Sequence, residues 1–104
     1  MIDITELDQL NSLLQKNTYV LVDFYTPSCP PCQLIAPYLE ELADQYPLVS
    51  FVKVNCNTSV DIPQAYDIGA VPTFLLFTNG KKAAVKYGSN KEELLAAIKE
   101  NFSQ

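Results

Sequence analysis

Residues 19–32 read Tyr19-Val20-Leu21-Val22-Asp23-Phe24-Tyr25-Thr26-Pro27-Ser28-Cys29-Pro30-Pro31-Cys32. The first seven are β-branched, aromatic or aliphatic with one carboxylate among them, and they are apolar on both alternating faces. That pattern predicts a central strand over 19–25, covered on both sides. Thr26-Pro27-Ser28 is turn chemistry. From Pro30 onward the period changes: Ile35, Leu39, Leu42 and Tyr46 fall on one helical stripe. A helix is therefore expected from Cys29 or Pro30 to Tyr46, with Pro37 inside it as a kink. A buried strand thus runs through a tight turn into a helix, and two cysteines flank the helix start.

Upstream, Leu7, Leu10, Leu13 and Leu14 recur at helical spacing. Thr5 with Asp8 has the form of a capping box, so a helix is expected over 5–16. Downstream, 49–54 read as a second long strand. Thr58 with Asp61 suggests another capping box, opening a short helix towards Tyr66. Strands at 74–78 and 83–87 flank Asn79-Gly80, a strong hairpin signal. Ser89 with Glu92 would cap a last helix whose apolar face is Leu94, Leu95, Ile98 and Phe102. The expected order is helix, strand, helix, strand, helix, hairpin, helix: an α/β chain with a mixed sheet and helices on both faces, the last two strands antiparallel.

With 104 residues and no linker, repeat or low-complexity stretch, one domain over 1–104 is expected. A net charge of −5 from seven Lys, no Arg and twelve acids offers no basic patch, which argues against nucleic acid and anionic membranes as partners. The apolar runs, such as 73–78, are too short to span a bilayer. The opening Met1-Ile2-Asp3-Ile4-Thr5-Glu6 lacks the basic and apolar regions of a signal peptide, so a cytoplasmic, reducing location is expected. The absence of His excludes a Ser-His-Asp triad, a Cys-His pair and imidazole metal ligands. Three Cys are not a disulfide framework in such a chain; they point to redox or metal chemistry.

Cys29-Pro30-Pro31-Cys32 carries that chemistry. A helix N-terminus offers unpaired N–H groups and a partial positive charge, and both favour thiolate over thiol. Cys29 is therefore the expected nucleophile, and Cys32, one turn further in and expected to be the more buried, the resolving thiol. The pair can close a disulfide with little backbone movement. Pro30 suits the first helical position. Pro31 suits it less well, because Pro30 then precedes a proline and is pushed from helical ψ. Two prolines also delete two amides that could have solvated the thiolate, which should make Cys29 less acidic and the pair more reducing. Cys-x-x-Cys is also half of a zinc site, but Cys56 alone cannot complete it, so no metal is expected. Two packing cysteines are the plainest alternative, and Pro-Pro between them in a turn speaks against it.

Asp23 interrupts the apolar strand six residues before Cys29. A buried, unpaired carboxylate is costly, so it should be paired, protonated or wet. Leu21 and Tyr25 share its face, which favours burial and a raised pKa, with Asp23 exchanging a proton with Cys32; a solvent-facing Asp23 is the alternative. Lys53 interrupts Phe51-Val52-Lys53-Val54 in the same way. If its strand neighbours the first it could pair with Asp23; an ordinary solvent-facing lysine is the alternative. Val71-Pro72-Thr73 places a proline, cis or trans, at a strand entry, where backbone could pair with an extended substrate. Cys56 reads as a small buried hydrophobe. Asn57-Thr58-Ser59 and Asn101-Phe102-Ser103 match glycosylation acceptors by chance and carry no meaning in a cytosolic chain.

Taken together, Val22-Asp23-Phe24-Tyr25 with Cys29-x-x-Cys32, Ile35-Ala36-Pro37, Lys53-Val54-Asn55, Gly69-Ala70-Val71-Pro72-Thr73, Phe77-Thr78-Asn79-Gly80 and Gly88 resemble the thioredoxin family over nearly the whole chain. The resemblance implies a thioredoxin fold, a central mixed sheet of four to five strands flanked by four helices. It implies a protein-disulfide reductase with no bound cofactor, acting as a monomer on protein disulfides and recharged by a thioredoxin reductase-type electron donor. Cys29 would attack a substrate disulfide and Cys32 would resolve the mixed disulfide. Asp23 would be the buried carboxylate, Lys53 its neighbour, and Pro72 a cis-proline facing the disulfide. Val71 would offer backbone hydrogen bonds, and Ser28, Pro30 and Pro31 would line the contact with substrate. The chain departs from the family pattern in Pro-Pro between the cysteines, Ser28 for a Trp before Cys29, and Tyr25 for a Trp after Phe24. The family's large apolar rim is thereby lost, which bears on the choice of partners. Two rivals to a reductase are a thiol oxidase or isomerase of higher potential, and a binding module on the same fold without turnover.

Overall fold

The structure is a computed structural model describing residues 1–103. Its elements are β1 (Ile2–Ile4), α1 (Leu7–Lys16), β2 (Tyr19–Tyr25), α2 (Pro30–Gln45), β3 (Val49–Asn55), α3 (Asp61–Ala65), β4 (Thr73–Thr78), β5 (Lys81–Tyr87) and α4 (Lys91–Asn101). The five strands form one sheet in the order β1-β3-β2-β4-β5. β3 runs parallel to both β1 and β2, while β4 is antiparallel to β2 and β5 to β4. This is a mixed sheet with four helices, with one strand more than the strand and helix periods predict.

β2 lies in the middle with all five interior residues buried, as its two-sided apolar pattern demands. Alternation then sorts its side chains. Leu21 joins Ile35, Leu39 and Leu42 of α2 and Leu94, Ala97 and Ile98 of α4 in one core. Val20, Val22 and Phe24 join Leu10 and Leu14 of α1 and Ile62 of α3 in the other. Each helix pair thus covers one face of the sheet, and each fully buried aliphatic or aromatic side chain contributes roughly 1.5–3 kcal/mol. The β4–β5 hairpin turns at Asn79 (φ 53°) and Gly80 (φ 78°), two positive-φ positions in succession, which explains the Asn-Gly pair. The Asn79 N–H donates to the Thr18 carbonyl at 2.8 Å and so fastens the hairpin to the start of β2.

Several expectations need correction. The chain opens with a strand, not a helix: β1 has only three residues, too few to show a period. α1 starts at Leu7, and its capping box is formed by Glu6 and Gln9, not Thr5 and Asp8. The Gln9 side chain accepts from the N–H groups of Thr5 and Glu6, both at 3.0 Å. Thr58 does not cap α3; its hydroxyl turns back to the Asn55 carbonyl at 3.3 Å, and the helix starts after Val60. α4 is capped by Asn90, not Ser89: Asn90 Oδ1 accepts from the Glu93 N–H at 2.9 Å. The hairpin strands are also longer than expected, starting at Thr73 and Lys81.

Candidate active site

The site lies where β2 gives way to α2. The turn is closed by the Cys29 N–H donating to the Thr26 carbonyl at 3.3 Å, and by Gln33 Nε2 donating to the Pro27 carbonyl at 2.6 Å. Cys29 is the N-cap of α2, in extended backbone (φ −95°, ψ 108°). The helix begins at Pro30 despite the proline that follows. Pro30 and Pro31 have no N–H, so Cys32 presents the first amide of the helix. That amide donates to Cys29 Sγ at 3.3 Å. A sulfur thus stands where a Ser or Asp oxygen usually caps a helix, and the one amide left in the first turn points at it. Cys29 and Cys32 are joined as a disulfide across a Cα separation of 5.2 Å. Both are nearly buried, at 8% and 6% exposure, so the expected contrast in burial between them is slight. Ser28, Pro30 and Pro31 around them are exposed.

Asp23 is buried at 5% exposure, and its Oδ1 has no hydrogen-bond partner. Burial pushes its pKa up to about 7; the Lys53 ammonium opposes the rise and the Asp3 carboxylate adds to it. β3 does neighbour β2, and the register sets Lys53 directly opposite Asp23. Both line a small cavity of about 150 Å³ together with Tyr25, Pro27, Cys32 and Gln33. The carboxylate and the inner cysteine therefore line the same small cavity. A wider hollow of about 570 Å³ lies at the other end of β2, lined by Asn11, Gln15, Asn17, Thr18 and Asn79. It holds no cysteine and no carboxylate.

The Val71–Pro72 peptide is cis. Thr73 pairs with Phe24, so Pro72 sits at the end of the sheet from which β2 leaves for Cys29. Pro72 is buried, and its carbonyl accepts the Gly88 N–H at 2.9 Å. Cys56 is half-buried against the core on the α1/α3 face, and its N–H donates to the Tyr25 carbonyl at 2.9 Å. It is thus less buried than the small core hydrophobe expected; burial, and then the Asp23 charge, pushes its thiol pKa up, against the lowering by its hydrogen bond to the Tyr25 backbone. Sequence reasoning missed Asp3 and the bonds made by Tyr25 and Gln33. Asp3 could have been found only by reading Ile2-Asp3-Ile4 as a strand.

A bonded cysteine pair at the head of a helix, sharing a cavity with a buried carboxylate, defines a thiol–disulfide oxidoreductase. The family model described as Thioredoxin matches residues 2–100. Thioredoxin-1 of Saccharomyces cerevisiae is 38% identical over 93 residues, covering 89% of this chain and 90% of its own length. A solved thioredoxin of Fasciola hepatica superimposes with a TM-score of 0.95 at 31% identity, covering 98% of this chain and 100% of its own. A peptide-N(4)-(N-acetyl-beta-glucosaminyl)asparagine amidase of Caenorhabditis elegans is 32% identical over 104 residues, but the chain spans only 17% of that protein's length. The chain belongs to the thioredoxin family. No helix among the described residues is long and apolar enough to cross a membrane.

Proposed function

We propose that this chain is a thioredoxin-type reductant of protein disulfides, with Cys29-Pro30-Pro31-Cys32 as its active site. The Cys29 thiolate attacks one sulfur of a substrate disulfide. A Cys29–substrate disulfide forms, and the other substrate sulfur leaves as thiolate. Cys32 gives up its proton to Asp23 and attacks Cys29 Sγ. The Cys29–Cys32 disulfide forms, and the second substrate sulfur departs with its electron pair. A thioredoxin reductase-type donor then returns two electrons and two protons to the pair.

The observation that carries this reading is the Cys32 N–H directed at Cys29 Sγ at a helix N-terminus, which favours negative charge on that sulfur. With Pro30 and Pro31 in place no other first-turn amide adds to it, and a thiolate so sparsely solvated belongs to a reducing pair. Asp23 acts as proton carrier for Cys32, and Lys53 tunes it. Val71 and Pro72 offer substrate backbone contacts, while Ser28, Pro30 and Pro31 form the rim that meets the partner. Residues 1–104 work as one thioredoxin domain, as a monomer in the cytoplasm.

The test is the reduction potential of the Cys29/Cys32 pair, set in defined thiol buffers, quenched by alkylation and counted by mass. A value near roughly −270 mV is expected. A value nearer about −120 to −180 mV would overturn the direction of electron flow and make the chain an oxidase or isomerase.

A further inference from the structure

One row of the sheet is charged across three strands. The register sets Asp3 of β1 opposite Lys53 of β3, and Lys53 opposite Asp23 of β2. Partners in register share a face, so Lys53 stands between two carboxylates, each about one strand spacing away. Tyr25 lies two residues beyond Asp23 on that same face. Its hydroxyl donates to Asp3 Oδ1 at 3.3 Å, and Lys53 Nζ lies 4.9 Å from its ring centroid. The phenol therefore reaches over the lysine to the outer strand and holds the Asp3 carboxylate in the row. Lys53 closes on neither acid: among the described residues the one ion pair joins the Met1 amine to Glu40. Asp23 Oδ1 meanwhile remains without a partner. A single ammonium thus stands in the row between an outer and an inner carboxylate.

We propose that Asp3 is a positioning residue for thiol exchange: from β1 it draws Lys53 outward, so that Asp23 stays a strong enough base to take the proton of Cys32. This rests on the reading of Asp23 as proton carrier given above. A base works best when its pKa lies near the working pH, and an undivided Lys53 would pull Asp23 well below it. The direction agrees with the separate effects on Asp23, which Lys53 lowers and Asp3 raises. The other charged and titratable groups towards Asp23 are Tyr25 on its own strand, Cys32 at the head of α2, and Cys56 after β3. Lys86 of β5 stands in the same row beyond Phe74. Among these, only Asp3 pulls on Lys53 from the side away from Asp23.

The experiment uses the full chain. The carboxyl carbon of Asp23 is titrated by NMR in the reduced protein. In parallel, a disulfide between Cys29 and thionitrobenzoate is formed, and its release by Cys32 is followed by absorbance against pH. Asp3→Asn keeps the acceptor for Tyr25 and removes the charge. Both inflections should then move down, by at least twice the roughly 0.3 pH unit that direct repulsion across about 10 Å supplies in water. In a Lys53→Met background the same substitution should move them by less than half as much. An Asp23 inflection that stays put or rises in Asp3→Asn overturns the proposal. An equal shift with and without Lys53 overturns it too, because Asp3 would then act by direct repulsion alone. Asp23→Asn separates the two readings. If the rate profile keeps its inflection in that variant, Asp23 is not the proton carrier. The carboxyl titration still decides whether Asp3 acts on Asp23 through Lys53.

Discussion

The two faces of β2 are built from alternate residues of one strand and could hardly differ more. Towards α1 and α3 it shows Val20, Val22 and Phe24, all fully buried in an unbroken apolar core. Towards α2 and α4 it shows Leu21, then Asp23, then Tyr25. One face is devoted to holding the sheet together. The other begins the same way and changes character over its last four residues, just before the chain turns to Cys29. The buried carboxylate is tolerated because the first face, with the α2 and α4 contacts on Leu21, supplies stability that the second gives up. In the proposed function the chemistry uses the end of the strand, and only one side of it.

The largest effect expected is on the side of the cysteines. Cys29→Ser should reduce catalysed reduction of a protein disulfide to the background rate while far-ultraviolet circular dichroism stays unchanged. Cys32→Ser should instead accumulate mixed disulfides, visible by mass. Should Cys29→Ser retain turnover, the division between the faces is wrong at its root. On the opposite face, Phe24→Ala should cost about 3–5 kcal/mol in urea unfolding. The rate constant of the remaining folded protein should change little. A variant that kept its stability but lost exchange would show that Phe24 serves the site and would break the comparison.

Asp23 should sharpen it. An unfolded aspartate releases its proton near 3.8, whereas folded Asp23 keeps it to about 7. Between those values the folded state holds more protons, so stability falls as pH rises and levels off above about 7. At about 1.4 kcal/mol per unit the loss is of the order of 4 kcal/mol. Unfolding free energies from urea titration of the native chain and Asp23→Asn, compared from pH 4 to 8, should diverge by that amount; parallel curves would mean that Asp23 is not a strained carboxylate. The smallest effect concerns Lys53. Lys53→Met removes the one cation that lowers the Asp23 pKa, so the Asp23 carboxyl inflection should rise by about one unit or less. No rise by NMR would show that the lysine belongs to the solvent.

The features most legible in the sequence were those with the most periods to read. β2 and α2 have seven and sixteen residues and a clear change of repeat between them, so their bounds came within a residue. The Asn79-Gly80 turn declared itself because its positive φ values suit few other pairs. The caps were less legible. Thr5 and Glu6, or Ser89 and Asn90, are adjacent polar residues, and which of them caps depends on the entry angle of the chain, a tertiary matter. β1 was invisible because three residues show no alternation. Its loss hid Asp3, and with it the outer half of the charged row. The cysteine pair and Asp23 were plain from the strand–turn–helix context. That Lys53 faces Asp23 needed the strand order, which sequence periodicity does not contain.

The two prolines have a consequence for anyone who watches this protein at work. Neither has an amide proton, so the first turn of α2 speaks through Cys32 alone. Its N–H touches the very sulfur whose state changes in each cycle. With no tryptophan in the chain to act as an optical reporter, that single amide resonance is the natural gauge of whether the pair is charged or spent.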